Sequence, residues 1–132
     1  MYSGRITVPG DAPAVLAVLA DTSRIAAWNP AFSSLDGSGP AVAGRPYRAT
    51  IRGVARAVLR YTEIGETAVR YTMSGLGSRE DGEWVLEASA EGTVVTHTFR
   101  HTGLILFLMR PAFAPVADWR LERLRDEVAA AS

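Results

Sequence analysis

The chain has 132 residues and a formal net charge of zero, with 14 basic and 14 acidic side chains. This length predicts a single domain spanning residues 1–132, and the balanced charge provides no field to attract nucleic acid, so we expect no nucleic-acid partner. The sequence contains no cysteine, which excludes disulfides and thiolate chemistry, and no lysine, which excludes Schiff-base catalysis.

Two segments bear on localisation. The first ten residues have no basic stretch followed by a long apolar one, so they do not predict a signal peptide. Residues 104–109 form an apolar run of six residues, whereas a membrane-spanning helix needs about twenty. We therefore expect a cytoplasmic protein with no stable membrane association, existing as a monomer or homodimer. Residues 104–109 are expected to be buried; the alternatives are the entrance of a cavity or a contact with a membrane or partner.

The chain begins with signals for a strand and a helix. Residues 5–8 can form a short strand, which a Pro-Gly pair ends. Asp11 then stands where an N-cap belongs, and apolar residues among positions 15–19 predict a helix.

A second short helix is predicted for residues 22–28, capped by Thr22 or Ser23. Asn29 ends it, because the residue before a proline is disfavoured in helical conformation. Residues 33–44, rich in glycine, serine and proline, predict a loop.

The middle of the chain alternates between apolar and polar residues with a period of two. The segments are residues 45–52, 55–61, 69–73, 83–88 and 95–100. Because successive side chains of a strand point to opposite faces, they predict an antiparallel meander with one covered and one solvated face. We expect the arginines of the solvated face to pair with nearby glutamates, with RNA or an acidic partner as the alternative ligand; these are Arg48, Arg52, Arg56, Arg60, Arg70 and Arg100.

The last predicted element is a long amphipathic helix over residues 114–130. A strand, two short helices, a meander and a long final helix indicate an α+β domain with its helices on one face of the sheet. Pockets form where two such layers diverge, so a cavity is expected between the sheet and the last helix.

Three motifs within this order of elements carry a family resemblance. They are the Trp28-Asn29-Pro30 break after the second helix, the Glu-Gly-Thr-Val-Val-Thr sequence of residues 91–96, and the Leu-Glu-Arg-Leu-Arg sequence of residues 121–125. Together they resemble the START-like (SRPBCC) superfamily, and within it the polyketide cyclase and dehydratase branch. The resemblance implies the helix-grip fold, in which a curved antiparallel sheet wraps around a long C-terminal helix, and it places Trp28 and Asn29 at one end of the cavity.

His97, Tyr71 and Tyr61 are the candidate catalytic residues. They lie on the predicted inner face, where imidazole can take a proton from carbon next to a carbonyl and phenols can stabilise an enolate. The competing interpretation is structural, with each polar tip bound to a backbone carbonyl. The residues expected to contact a ligand are Trp28, Asn29, Tyr47, Ile51, Leu59, Met73, Trp84, Leu86, Phe99, Phe113 and Arg120.

Arg120 could anchor a carboxylate or enolate, or it could extend outward into solvent. We expect no cofactor. We also expect no metal, because His97 and His101 lie about 13 Å apart in a regular strand and cannot share one. His101 is expected at the end of the sheet. No inward pair of carboxylates is predicted, since these side chains are expected in turns or on the outer face: Glu63, Glu66, Glu80, Glu83 and Glu87.

Two functions follow from this interpretation. The first is a cofactor-independent cyclase or dehydratase that folds a polyketide-like carbonyl chain and assists with acid–base groups. The second is a non-catalytic carrier or sensor of a small hydrophobic or aromatic molecule or a lipid. Polar groups converging on an open cavity would favour catalysis, whereas hydroxyls that are all bound to backbone would favour binding alone.

Overall fold

A computed structural model of the chain describes residues 1–53 and 55–131. Within these residues seven strands form one sheet: β1 (Tyr2–Val8), β2 (Phe32–Leu35), β3 (Pro46–Ile51), β4 (Ala55–Ile64), β5 (Ala68–Gly75), β6 (Ser78–Ser89) and β7 (Gly92–Thr102). The α-helices are α1 (Ala12–Leu19), α2 (Ile25–Trp28), α3 (Leu104–Leu108) and α4 (Val116–Ala131), and a 3-10 turn covers Arg110–Phe113.

The sheet is open and antiparallel throughout, with strand order β1-β7-β6-β5-β4-β3-β2. The long helix α4 packs against β1 and β7 and also contacts α1 and α2. Its buried aliphatic side chains, Leu121, Leu124 and Val128, join the inner face of the sheet in the core. The α+β architecture predicted from the chain is therefore confirmed, with the interior lying between the sheet and α4.

The two N-terminal helices begin in different ways. Asp11 caps α1 as predicted, because its Oδ1 accepts a hydrogen bond from the Ala14 amide at 2.9 Å. The predicted cap of the second helix is wrong: α2 begins after Arg24 without a side-chain cap. The Thr22 hydroxyl instead donates to the Gly39 carbonyl at 2.7 Å, so Thr22 anchors the following loop.

One strand is longer than predicted, and another lies where a loop was predicted. β1 begins at Tyr2 because its first residue pairs with Phe99 of β7. The predicted loop of residues 33–44 contains most of β2, a four-residue edge strand that pairs with β3. An edge strand this short carries too few residues to show a clear alternation.

The connection between β5 and β6 is shorter than predicted. Residues 75–82 read as a turn because they contain three glycines, but the turn consists of Leu76 and Gly77 alone, both with positive φ (53° and 69°). β6 therefore begins at Ser78. This shift places Glu80 on the inner face, where it is 3 % exposed, and corrects the prediction that it lies in a turn or on the outer face.

The apolar run of residues 104–109 is the largest departure from expectation. It was expected to be buried, but it forms α3, in which no residue is buried and Leu104 is 70 % exposed.

On the outer face of the sheet, Arg70 pairs with Glu63 at 2.7 Å and with Glu83 at 3.1 Å, as predicted for that solvated surface.

Candidate functional site

Five polar side chains meet inside the protein, between the middle strands and α4. The buried polar cluster, as we name it, consists of Tyr71 on β5, Glu80 on β6, His97 and His101 on β7, and Arg120 on α4. Tyr71 is 8 % exposed, and Glu80, His97 and Arg120 are at most 3 % exposed. Charged residues are almost never buried to this extent unless they are paired, so the contacts within the cluster decide what it can do.

Glu80 is the centre of these contacts. Arg120 donates to both carboxylate oxygens, with Nη1 3.0 Å from Oε2 and Nη2 3.3 Å from Oε1. The Tyr71 hydroxyl donates to Oε2 at 2.6 Å, and His101 Nε2 lies 2.8 Å from Oε1. Each carboxylate oxygen therefore has two partners, which compensates for the burial of its charge.

The register of the sheet explains how these groups meet. Glu80 pairs with His101 of β7 and Gly82 pairs with Tyr71 of β5. Gly82 has no side chain, and a Cβ at that position would overlap the Tyr71 ring. The ring therefore lies across Gly82 and carries its hydroxyl to Glu80 two residues earlier on the same face.

The electrostatic environment favours the charged forms of both Glu80 and Arg120. Burial alone raises the pKa of Glu80, but the Arg120 charge and the hydrogen bonds from His101, Arg120 and Tyr71 together hold it well below its usual value. Burial lowers the pKa of Arg120, and the neighbouring Glu80 more than offsets this, so its pKa is raised. The cluster therefore holds a permanent buried ion pair at neutral pH.

His97 is neutral in this environment. Burial, and then the Arg120 charge, lower its pKa to about 3. Its Nδ1 lies 3.0 Å from the Glu83 carbonyl, which can only accept, so Nδ1 carries the proton. Nε2 then accepts from Arg120 Nη1 at 3.2 Å, while the ring stacks on Trp84 with centroids 3.6 Å apart. The lone pair that a general base would use is engaged by Arg120.

Next to the cluster lies a small internal cavity of about 20 Å³. This is space for about one water molecule. Its lining combines predicted site residues with apolar neighbours: Leu19, Ile25, Trp28, Asn29, Phe32, Leu59, Tyr61, Tyr71, Glu80, Trp84 and Arg120. Thus the cavity brings together Trp28, Asn29, Leu59, Tyr61, Tyr71, Trp84 and Arg120 from the predicted set.

Two residues that line this cavity each carry a buried donor that has no hydrogen-bond partner among the described residues. The donors are the indole Nε1 of Trp28 and the Nε of Arg120. An unsatisfied buried donor costs about 1–3 kcal/mol, and most proteins avoid it. Two such donors at one cavity indicate a place for an acceptor atom.

The other predicted polar residues are bound to backbone. The Tyr61 hydroxyl donates to the Leu19 carbonyl at 3.0 Å, and the Tyr47 hydroxyl accepts from the Val42 amide at 2.9 Å. Asn29 Oδ1 accepts from the Ala31 amide at 3.1 Å, which is ordinary turn chemistry. These side chains are held by the fold, although Tyr61 and Asn29 also line the cavity.

The remaining predicted ligand contacts lie away from the cavity lining. Leu86 belongs to the core, and Ile51 and Met73 are half-buried beside it. Phe99 packs against Arg120, with the guanidinium 4.5 Å from the ring centroid, and Phe113 meets His101 edge-on at 4.4 Å. Both phenylalanines therefore shield the far side of the cluster.

Sequence reasoning missed Glu80 and gave His101 no partner. The signal that could have found Glu80 is its parity with Gly82, Trp84 and Leu86, all of which share one face of β6. Among the described residues no group of three or more potential ligand side chains is arranged to hold a metal ion. Within the same part of the chain, no helix is long and apolar enough to cross a membrane.

This chain is similar to a known protein family and to several solved structures. A family model described as "Polyketide cyclase / dehydrase and lipid transport" matches residues 2–129. No curated protein sequence matches the chain. A START superfamily protein from Mycobacterium smegmatis superposes with a TM-score of 0.74 at 11 % identity, covering 98 % of this chain and 97 % of that one.

Two further solved structures are similar. TTHA0849 from Thermus thermophilus gives a TM-score of 0.67 at 20 % identity, covering 99 % of this chain and 98 % of that one. DynU16, from the dynemicin biosynthetic locus, gives a TM-score of 0.73 at 18 % identity. The match covers 99 % of this chain but only 48 % of DynU16, so this chain spans about half the length of that protein. The chain has the helix-grip fold and belongs to the family described as polyketide cyclase, dehydrase and lipid transport.

Proposed function

We propose that this protein binds a small, mainly apolar molecule through one oxygen acceptor, which Trp28 and Arg120 hold between α2 and α4. The observation that carries this proposal is that two residues lining one cavity each hold a buried donor without a partner among the described residues, Trp28 Nε1 and Arg120 Nε. A carbonyl or enolate oxygen has lone pairs for both donors and brings no proton of its own.

The surroundings of these donors fit the apolar part of such a ligand. Leu19, Ile25, Phe32 and Leu59 line the same cavity. Ligand sites in proteins are mostly apolar, with a few polar groups that fix orientation. The family's description names polyketide and lipid chemistry, and both substrate classes join carbonyl oxygens to apolar carbon.

The cavity as described holds about one water, so a ring-sized ligand enters only when a wall moves. We expect the moving wall to be α2, which has four residues, begins without a side-chain cap and carries Trp28. Such short uncapped helices derive little stability from their own hydrogen bonds. Its displacement would widen the cavity beside both donors.

The test is a calorimetric titration with two probes of matched shape, 2-acetylnaphthalene and 2-isopropenylnaphthalene, which differ in carrying a carbonyl oxygen or a methylene group. The ketone should bind about tenfold more tightly, because its oxygen can accept a hydrogen bond from the charged guanidinium of Arg120 and the methylene group cannot. Trp28→Phe should reduce this preference, and the exposed Trp119→Phe should leave it unchanged. Equal binding of both probes, or binding of neither, contradicts the proposal.

A second candidate function is catalysis, namely cofactor-independent cyclisation or dehydration of a polyketide-like chain. The observation that favours it is the buried guanidinium of Arg120 beside the ligand position, because a fixed cation stabilises an enolate as it forms. His97 then acts first as a positioning residue for Arg120, and it becomes a base only if Arg120 leaves Nε2 to meet the ligand oxygen. The Tyr71 hydroxyl, which donates to Glu80, lies 3.4 Å from Arg120 Nη1 and so stands beside this guanidinium.

Carrier and enzyme can be separated by native mass spectrometry of gently purified protein and of the double variant Tyr71→Phe/His97→Ala. A linear precursor retained by the variant, where the native chain retains a cyclised product, supports catalysis. The same compound retained by both supports a carrier or sensor. Tyr47→Phe is the matched control, because its hydroxyl contacts backbone outside the cavity lining.

A further inference from the structure

Among the described residues, the largest group of exposed large apolar side chains lies at one end of the sheet. The apolar end patch, as we name it, consists of six exposed side chains: Leu76, Leu104, Ile105, Phe107, Leu108 and Met109. Leu104, Phe107 and Leu108 are 70, 57 and 66 % exposed. We propose that this patch docks reversibly on the surface of a lipid bilayer that contains anionic phospholipids.

Two segments distant in sequence build the patch. Leu76 stands in the β5–β6 turn and is 68 % exposed, and the other members belong to α3 or follow it directly. Gly103 joins them, because its backbone packs so closely on the turn that a Cβ there would lie 2.7 Å from the Gly77 carbonyl oxygen. Only glycine fits this approach at φ 113°. The turn and α3 therefore form one surface.

The shape of α3 suits insertion between lipid headgroups. It has five residues, all of them Leu, Ile or Phe; four are exposed, and Leu106 is half-buried. At about 1.5 Å per residue it is about 7.5 Å long, comparable to the roughly 5–10 Å to which interfacial segments enter a bilayer. A helix that is apolar on every side and exposed at four of its five residues presents apolar side chains to water.

Charges around the patch favour an anionic surface. Arg110 follows α3 and lies over the Phe107 ring, with its guanidinium 4.2 Å from the ring centroid. Arg79 and Arg100 are exposed on the adjoining ends of β6 and β7, where Asp81 is the acidic residue beside them. Three arginines against one aspartate give this end a positive charge in a chain whose net charge is zero.

A second copy of the chain fits the patch less well. A standard protein interface takes about 20–30 residues from each partner, whereas the patch offers six. A fluid lipid surface accommodates a small protrusion without shape complementarity.

The experiment is co-sedimentation with vesicles of phosphatidylcholine, with and without phosphatidylglycerol. The protein should bind the mixed vesicles more tightly than the neutral ones. Phe107→Ser and Leu108→Ser should each weaken binding about tenfold, since each removes one large inserted side chain. Arg110→Ser should reduce the dependence on phosphatidylglycerol.

Val42→Ser is the matched control, because Val42 is an exposed apolar residue (54 %) outside the patch. Thermal unfolding of each variant checks that the fold is retained, as expected for changes at exposed positions. The proposal is overturned if the native chain binds neither vesicle, or if Phe107→Ser and Val42→Ser bind equally. A dimer in light scattering that Leu108→Ser converts to monomer, without vesicle binding, would overturn it in favour of a second copy.

Discussion

The two halves of the interior satisfy their polar groups in different ways. At the β3–β4 side, Tyr47 and Tyr61 each bind one backbone group, the Val42 amide and the Leu19 carbonyl. On the side of β5, β6 and β7, Tyr71 and Glu80 are bound to other side chains of the buried polar cluster. The first side depends on the fold alone, whereas the second depends on every member of the cluster being present.

This difference indicates where ligand chemistry is concentrated. A tyrosine tied to backbone has its donor committed for as long as the strand stays in place. In the cluster, by contrast, Arg120 makes several contacts and still retains Nε without a partner among the described residues. The charged side of the interior therefore has a donor to offer, and the tyrosine side offers mainly apolar surface.

The largest expected effect comes from breaking the buried ion pair. Arg120→Leu removes the cation and leaves the Glu80 carboxylate buried, so we expect a loss of about 3–5 kcal/mol in the free energy of unfolding. Urea denaturation at neutral pH measures it. Arg123→Leu, an exposed position on the same helix, is the control and should change stability little.

The paired variant Glu80→Gln/Arg120→Leu separates charge from packing. It removes both charges, so it should recover part of the stability that Arg120→Leu loses. If Arg120→Leu costs no more than Arg123→Leu, the ion pair does not hold the cluster together, and the contrast between the two halves of the interior fails.

The next largest effect is the pH dependence of the free energy of unfolding that His97, a member of the buried polar cluster, produces. The pKa of His97 is lowered to about 3 by burial and by Arg120, whereas an unfolded histidine titrates near 6.5. Below pH 6.5 the unfolded chain therefore takes up a proton that the folded chain refuses, and stability falls as the pH falls towards 3. Between pH 7 and pH 5 we expect a loss of roughly 2 kcal/mol from His97.

His97→Gln should remove most of this pH dependence, as measured by urea denaturation at pH 7, 6 and 5. Glu80, whose pKa is lowered, adds a loss in the same direction only below its ordinary value of 4.5, so it does not contribute to this window. An identical slope in the native chain and in His97→Gln would mean that the buried neutral imidazole is not the source.

The sequence predicts the fold well because its signals are local. Period-two alternation identifies β3 to β7, and one residue, Asp11, correctly marks the start of α1. The edge strand β2 and the start of α2 lack such patterns. Their positions depend on pairing with β3 and on the contact of Thr22 with Gly39.

The candidate site is less accessible to the same reasoning. Whether Glu80 lies on the inner face depends on whether β6 extends past Gly82 towards the β5–β6 turn, because only within the strand does Glu80 share the parity of Trp84 and Leu86. Arg120 was left between an inward and an outward position because its partner, Glu80, lies 40 residues away in the chain. The exposure of α3 is also non-local, since nothing within six apolar residues shows whether the rest of the chain covers them.

The smallest expected effect compares one tyrosine from each half of the interior. Tyr71→Phe removes the donor to the Glu80 carboxylate, a hydrogen bond to a charged group, and should cost about 2 kcal/mol. Tyr61→Phe removes the donor to the Leu19 carbonyl and should cost about 1 kcal/mol. Each substitution keeps the ring and its packing, so the difference between the two losses of stability reports the effect of the acceptor.

Urea denaturation at pH 7 measures both variants, and equal losses would mean that Arg120 and His101 compensate the charge of Glu80 without the phenol. In that case Tyr71 would be free to turn its hydroxyl towards a ligand, and the boundary between structural and functional tyrosines would run through the cluster itself.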